Sequence, residues 1–166
     1  IAINSDLADC VCAATCFDLN SKIENLIIVG TENGKVLEYS IMHKNKLLTV
    51  FDAHHMPVYG IKWNPFNKKI FISCSADWTV KIWDHRYKDP AFTYDLGSPV
   101  SDVTWAPYAS TVFAAVTADG NVYVYDLDVD KCEPLCVQNI LQKRKRKLTH
   151  IAFNPTEPII IVGDDK

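Results

Sequence analysis

The sequence predicts an all-β fold built from about three and a half copies of one four-stranded antiparallel unit, and three observations predict it. An alternating strand pattern that ends on an aromatic side chain occurs four times. Further alternating runs follow these copies, joined by turn residues such as Asn33-Gly34 and Asp119-Gly120. No stretch carries the period of an amphipathic helix over a useful length. Four-stranded meanders repeated about an axis form a β-propeller, and the expected fold is a partial one.

The opening strands lie at 11–19, 57–65, 99–107 and 147–155. Their aromatics, Phe17, Trp63, Trp105 and Phe153, are 46, 42 and 48 residues apart. These steps match the roughly 40 to 45 residues of a propeller repeat, with loop insertions making them unequal. Second runs at 26–30, 70–75 and 112–117 lead through turns to third runs at 35–39, 79–84 and 121–126. Asn-Gly and Asp-Gly at such turns predict two-residue hairpins in which both central residues take positive φ. Outer fourth strands fit 46–51, 91–96 and 135–140. The blades then cover 11–52, 53–96, 97–141 and 142–166 of a single unit, the last reaching Lys166 before a third strand.

Composition narrows the function classes. With 48% hydrophobic and 22% charged residues, disorder is excluded as the main state. Lys and Arg number 17 against 20 Asp and Glu, a net charge of -3, which excludes a surface that attracts nucleic acid everywhere. No apolar run approaches the roughly 18 residues of a membrane helix. Asp6 and Asp9, with no Lys or Arg among the first fifteen residues, leave no visible signal peptide. The start at Ile1 reads as a piece of a longer cytosolic chain. Six cysteines, Cys10, Cys12, Cys16, Cys74, Cys132 and Cys136, form no Cys-x-x-Cys knuckle. They are expected to be buried reduced thiols, and no metal or other cofactor is expected.

Ala53-His54, Ser73, Asp77 and Trp83-Asp84 match the WD-repeat pattern, in which His, Ser, Asp and Trp bond to one another inside a blade. The third repeat holds Leu96, Ala115 and Tyr125 at the His, Ser and Trp positions, and the fourth has Arg144 for His. Beyond that pattern, the strings from Trp63-Asn64-Pro65-Phe66 through Ser75-Ala76-Asp77-Trp78 to His85, and from Asp102 to Gly120, resemble axonemal outer-arm dynein intermediate chains. So does Pro158 to Asp165. The resemblance implies a non-catalytic scaffold that docks on a dynein heavy chain beside a second intermediate chain at the doublet microtubule. It also implies a place in the cytoplasm, in the cytoskeleton of the cilium or flagellum. A generic WD-repeat scaffold in another cytosolic complex is the alternative reading.

Three constellations bear on chemistry. His54, Ser73 and Asp77 have the residue types of a hydrolase triad, but Ser73 sits mid-strand with no strained glycine elbow. They are expected to satisfy one another structurally, together with Trp83. Gly30 to Lys35 has too few residues between its glycines for a phosphate loop, and Val36 follows where Ser or Thr would hold magnesium. The basic run Lys143, Arg144, Lys145, Arg146 and Lys147 lies between an outer strand and the next inner strand, on an otherwise acidic chain. It reads as a solvated connecting loop or as a contact for an acidic partner, and nucleic acid comes third because no aromatics are interleaved for base stacking.

In a meander the outer-to-inner connections and the turns between second and third strands share one end. His55, Met56, Trp78 and the basic run are therefore expected on one face, a candidate partner-binding surface where Trp78 either anchors a partner or packs against a neighbouring blade or loop. No catalytic residue is expected. An arc that leaves strand edges and apolar faces uncovered is also expected to pair its open ends.

Overall fold

A computed structural model describes residues 12–42, 46–141 and 146–165. Alternating apolar positions close into fourteen strands, and no helix occurs among the described residues. The first sheet contains β1 (Ala14–Leu19), β2 (Leu26–Thr31), β3 (Lys35–Ser40) and β4 (Lys46–Asp52). The second contains β5 (Val58–Trp63), β6 (Ile70–Ser75), β7 (Thr79–Asp84) and β8 (Phe92–Asp95). The third contains β9 (Val100–Trp105), β10 (Val112–Thr117), β11 (Asn121–Asp126) and β12 (Cys136–Asn139). Each is an antiparallel meander in chain order, and β13 (Leu148–Phe153) pairs with β14 (Ile160–Asp164) in a two-stranded fourth sheet.

The core lies between sheets rather than within them. One buried cluster joins Ile28, Val36 and Phe51 of the first sheet to Val58, Ile61 and Phe71 of the second. Another joins Ile72 and Val80 to Val103 and Phe113, and a third joins Ala114 and Val116 to Leu148 and Ile151. Strands with both faces covered should be apolar nearly throughout, and β6 and β10 are. The second and third sheets repeat one aromatic device: Phe71 stacks on Trp83 at 5.9 Å and 7°, and Phe113 stacks on Tyr125 at 4.8 Å and 6°. Trp63 and Trp105 meet those phenylalanines edge-on.

The ladders correct the alignment of the first repeat. Trp63 pairs with Phe71 and Trp105 with Phe113, whereas the residue at that place in β1 is Leu19, paired with Ile27. Phe17 instead matches Ile61. A shift of two residues leaves every side chain on its original face, so alternation alone could not expose the slip. Phe17 and Leu19 are 63% and 53% exposed, because no described sheet covers their side of β1. Ile159 and Ile161 are likewise exposed at the other end of the arc.

Two further expectations change. At the Asn-Gly and Asp-Gly turns the glycines alone take positive φ, +83° at Gly34 and +96° at Gly120, while Asn33 and Asp119 do not. Gly34 N donates to Thr31 O and Gly120 N to Thr117 O, so the connection is the longer hairpin loop with one left-handed residue at its end. Among the cysteines, Cys74 is buried, but Cys132 and Cys136 are exposed and Cys12 and Cys16 lie between. Cys136 falls on β12, an outer edge strand whose four residues are all exposed. Cys10 lies outside the described residues.

Close approach of the first two sheets requires Gly30. A Cβ there would stand 2.6 Å from Cys16 Sγ and 2.8 Å from Val58 Cγ1. Gly30→Ala is expected to lower the urea midpoint by the equivalent of about 1 to 3 kcal/mol. Cys16→Ala in the same chain should restore part of it; an unshifted midpoint for the single variant would contradict this packing.

Candidate protein-binding face over a buried polar network

The network begins with the β4–β5 connection, which lays His54 across β6 and β7. His54 Nε2 is 2.8 Å from Ser73 Oγ, and Trp83 Nε1 donates to the same oxygen at 3.0 Å. His54 Nδ1 is 3.0 Å from Asp77 Oδ2. One neutral tautomer satisfies every partner: the Ser73 hydroxyl donates to Nε2, and the Nδ1 proton is donated to Asp77. Thr79 adds two bonds to Asp77 Oδ1, from its amide at 3.1 Å and its hydroxyl at 2.6 Å. The His55 amide donates to Asp77 Oδ2 at 3.1 Å.

The structure thus brings His54, Ser73, Asp77 and Trp83 together, and Thr79, which the sequence reading missed, completes the set. Its signal was local, since a Thr two residues after Asp is the ordinary partner in an Asx turn. The order Ser, His, Asp also reproduces the connectivity of a hydrolase triad. Ser73 and the His54 side chain are, however, wholly shielded from solvent, so no substrate reaches the hydroxyl.

Burial lowers the His54 pKa, against the opposing pull of Asp77, and keeps the ring neutral. For Asp77, burial opposes ionisation, but the bonds from His54 and Thr79 outweigh it and hold the carboxyl well below the usual carboxylate range. Both groups are depressed in the fold, so the unfolded chain binds more protons and stability rises with pH. His54 contributes fully above its unfolded value of about 6.5, and Asp77 above about 4.

Above this network lies the predicted face. Ser75 Oγ donates to Met56 O at 3.0 Å and Ala76 N to Pro57 O at 3.2 Å, which joins the 54–57 connection to the 75–78 turn. His54 N donates to Gly34 O, Leu96 N to Trp78 O and Ile140 N to Gly120 O, so the turns and the outer-to-inner connections do share one end. His55 is exposed, and Met56 and Trp78 are each 49% exposed. Trp78 has φ +75°, in the slot that Gly34 and Gly120 fill elsewhere. The strained conformation of a bulky residue here costs about 1 kcal/mol or more relative to glycine.

The basic run is described only in part, because Lys143, Arg144 and Lys145 lie outside the described residues. Arg146 is not a free charge: its Nη1 donates to Asp164 Oδ2 at 2.7 Å, because β14 ends beside the start of β13. Lys147 is exposed, and its amide donates to Asp165 Oδ1 at 3.2 Å. Among the described residues, no group of three or more His, Cys, Asp or Glu side chains could hold a metal ion, and no helix could cross a membrane.

The network generates two measurements. The melting temperature should fall between pH 7.5 and 5.5 as His54 draws a proton in the unfolded state, and again below about pH 4; His54→Gln should flatten the first step. At pH 7.5, Ser73→Ala should cost about 2 to 3 kcal/mol in urea denaturation, since it leaves buried His54 Nε2 and Trp83 Nε1 unpaired. A loss under half that size would mean the hydroxyl is not shared in this way.

Comparison with known proteins accords with this geometry. The WD domain, G-beta repeat family matches residues 45–84 and 90–126. A ciliary dynein intermediate chain 2 of Heliocidaris crassispina is 60% identical over 153 residues, 92% of this chain and 22% of that protein. Dynein axonemal intermediate chain 1 of Mus musculus is 57% identical over 152 residues, again 92% of this chain and 22% of the relative. The 78 kDa intermediate chain of the Chlamydomonas reinhardtii flagellar outer arm is 40% identical, over 86% of this chain and 21% of that protein. A chain in the crystal structure of the mitotic checkpoint complex shares the fold, with a TM-score of 0.78 at 19% identity over 90% of this chain and 45% of its own length. The chain therefore spans about a fifth of the dynein relatives it matches, and it is a WD-repeat propeller segment of the axonemal dynein intermediate chain family.

Proposed function

We propose that this segment is a non-catalytic docking scaffold in an axonemal dynein complex, supporting ciliary or flagellar motility. Its partners in this reading are a dynein heavy chain and a second intermediate chain, with the microtubule as a further candidate. Its place is the cytoplasm, at the axoneme. The names of the relatives support the assembly. One observation carries the choice of surface: Trp78, exposed and left-handed where sister turns hold glycine, beside exposed Met56 and His55. Local folding favours glycine at that position, so the indole's use lies outside the blade. Half-exposed aromatic and methionine side chains on a rigid turn are suited to anchoring a partner. The uncovered apolar faces at Phe17 with Leu19 and at Ile159 with Ile161 are in this reading covered by further blades, or by a second copy when the segment is alone.

Trp78→Gly separates the two roles of the position. It should leave the melting temperature unchanged or raise it, because the strain is relieved, while lowering recovery of dynein heavy chain from ciliary extract by tenfold or more. Full recovery with a stable Trp78→Gly chain would remove this surface from the interface. Recovery of a different complex with no dynein subunits would favour the generic scaffold instead.

A further inference from the structure

The opposite end of the sheets carries a second surface, built by the loops between first and second strands. Two buried asparagines shape it by the same device. Asn20 Oδ1 accepts from the amides of Lys22 and Ile23, at 2.9 and 2.8 Å, while its Nδ2 donates across to Lys68 O at 2.8 Å. Asn64 Oδ1 accepts from the amides of Phe66 and Asn67, both at 2.9 Å, while its Nδ2 donates to Ser110 O at 2.8 Å. Each asparagine folds its own loop and ties it to the loop of the next sheet. Three successive loops are thereby locked side by side, and a cleft of about 570 Å³ lies among them.

The charge of this cleft is opposite to that of the chain. Its lining holds Lys22, Lys68, Lys69 and Arg86 against the single carboxylate of Asp84, on a chain whose net charge is -3. Arg86 already spans Asp84, with Nε 2.9 Å from Oδ1. Lys22 Nζ donates to Phe66 O at 2.8 Å, which fixes its ammonium at the cleft wall. Lys22, Lys68 and Lys69 form no ion pair among the described residues. The exposed ring of Phe66 adds an apolar contact in the same wall.

We propose that this cleft is a docking site for an acidic, extended segment of a partner protein, carrying at least one apolar side chain for Phe66. The clasped loops fix the backbone that carries the three lysines, and the Lys22 ammonium is itself held, so less ordering is needed when carboxylates arrive. Their concentration on one concave surface of an acidic body steers an anionic segment there rather than to the rest of the molecule. The surface is distinct from the Trp78 face, so the chain can hold two partners at opposite ends of its sheets. Nucleic acid is the less fitting occupant, because the wall offers one aromatic ring where single strands take a series of stacking platforms.

The test uses the full-length chain and fluorescence anisotropy with a fluorescein-labelled twelve-residue peptide, glutamates with one central leucine. Binding is expected at 50 mM salt and should weaken at least tenfold at 300 mM. Lys68→Glu with Lys69→Glu should weaken it at least tenfold at low salt, with an unchanged melting temperature. Lys68→Glu alone serves if the double variant melts early, with at least a threefold loss expected. Trp78→Gly should bind the peptide as the parent does, so failure here and failure of the Trp78 face are read separately. No binding by the parent chain, equal binding by the charge-reversed variants, or tighter binding of a labelled oligouridine than of the peptide would each overturn the proposal.

Discussion

Burial between neighbouring sheets is the constraint on which the rest of this molecule depends. A single four-stranded meander of this size has two apolar faces and no interior of its own. Ile28 and Phe51 become buried only because Val58, Ile61 and Phe71 arrive from the next sheet, and Ile72 and Val80 only because Val103 and Phe113 do. At roughly 25 cal/mol per Å² of apolar surface, these inter-sheet contacts are the main favourable term for such repeats. Polar ties then fix the angle and register between sheets. Asp18 Oδ2 accepts from Trp63 N at 2.7 Å, Asp102 Oδ2 accepts from Ile151 N at 3.0 Å, and buried Glu38 meets His85 Nδ1 at 2.8 Å. Each joins one sheet to the next.

That arrangement explains what the sequence made legible. Strand identity follows from alternation and turn residues, and β1 to β13 lie within or beside their expected runs because both signals are local; β14 has no expected run of its own. The first repeat's register was less legible, since a two-residue displacement preserves parity and Phe17 is as apolar as Leu19. The turn type was also hidden: Asn33-Gly34 and Asp119-Gly120 fit either a two-residue hairpin or a longer loop ending in glycine. What decides is the side-chain support, such as the Asn121 Nδ2 bond to Asp119 Oδ2 at 2.9 Å. The cysteines misled because Cys132 and Cys136 follow the last covered strand of their sheet, where composition predicts burial but topology withholds it.

The candidate sites divide in the same way. The His54, Ser73, Asp77 and Trp83 set was readable because it is a pattern of residue types at fixed places. Arg146 was read as part of a free basic run because its partner, Asp164, is distant in sequence and adjacent only through the β13–β14 ladder. The clamps at Asn20 and Asn64 left a partial trace, Asn-Pro after an aromatic at Asn64-Pro65 and again at Asn154-Pro155. Asn154 Oδ1 does accept from the Thr156 and Glu157 amides, at 2.9 and 3.1 Å. Their reach into the neighbouring loop requires the sheets to be placed first.

The ties between sheets also shape the two ends of the stack. Its two ends are built differently: one displays an aromatic on a strained turn above a fully satisfied polar network, and the other displays ammonium groups on asparagine-clasped loops. Hydrogen bonds to Asp77 from His54, His55 and Thr79 tie the turn that carries Trp78 to the β4–β5 connection. Those bonds all end on the Asp77 carboxylate, and they hold it well below the usual carboxylate range. The cleft at the other end is shaped by asparagine amides, whose charge does not change with pH, and its lining carries the Asp84–Arg86 pair.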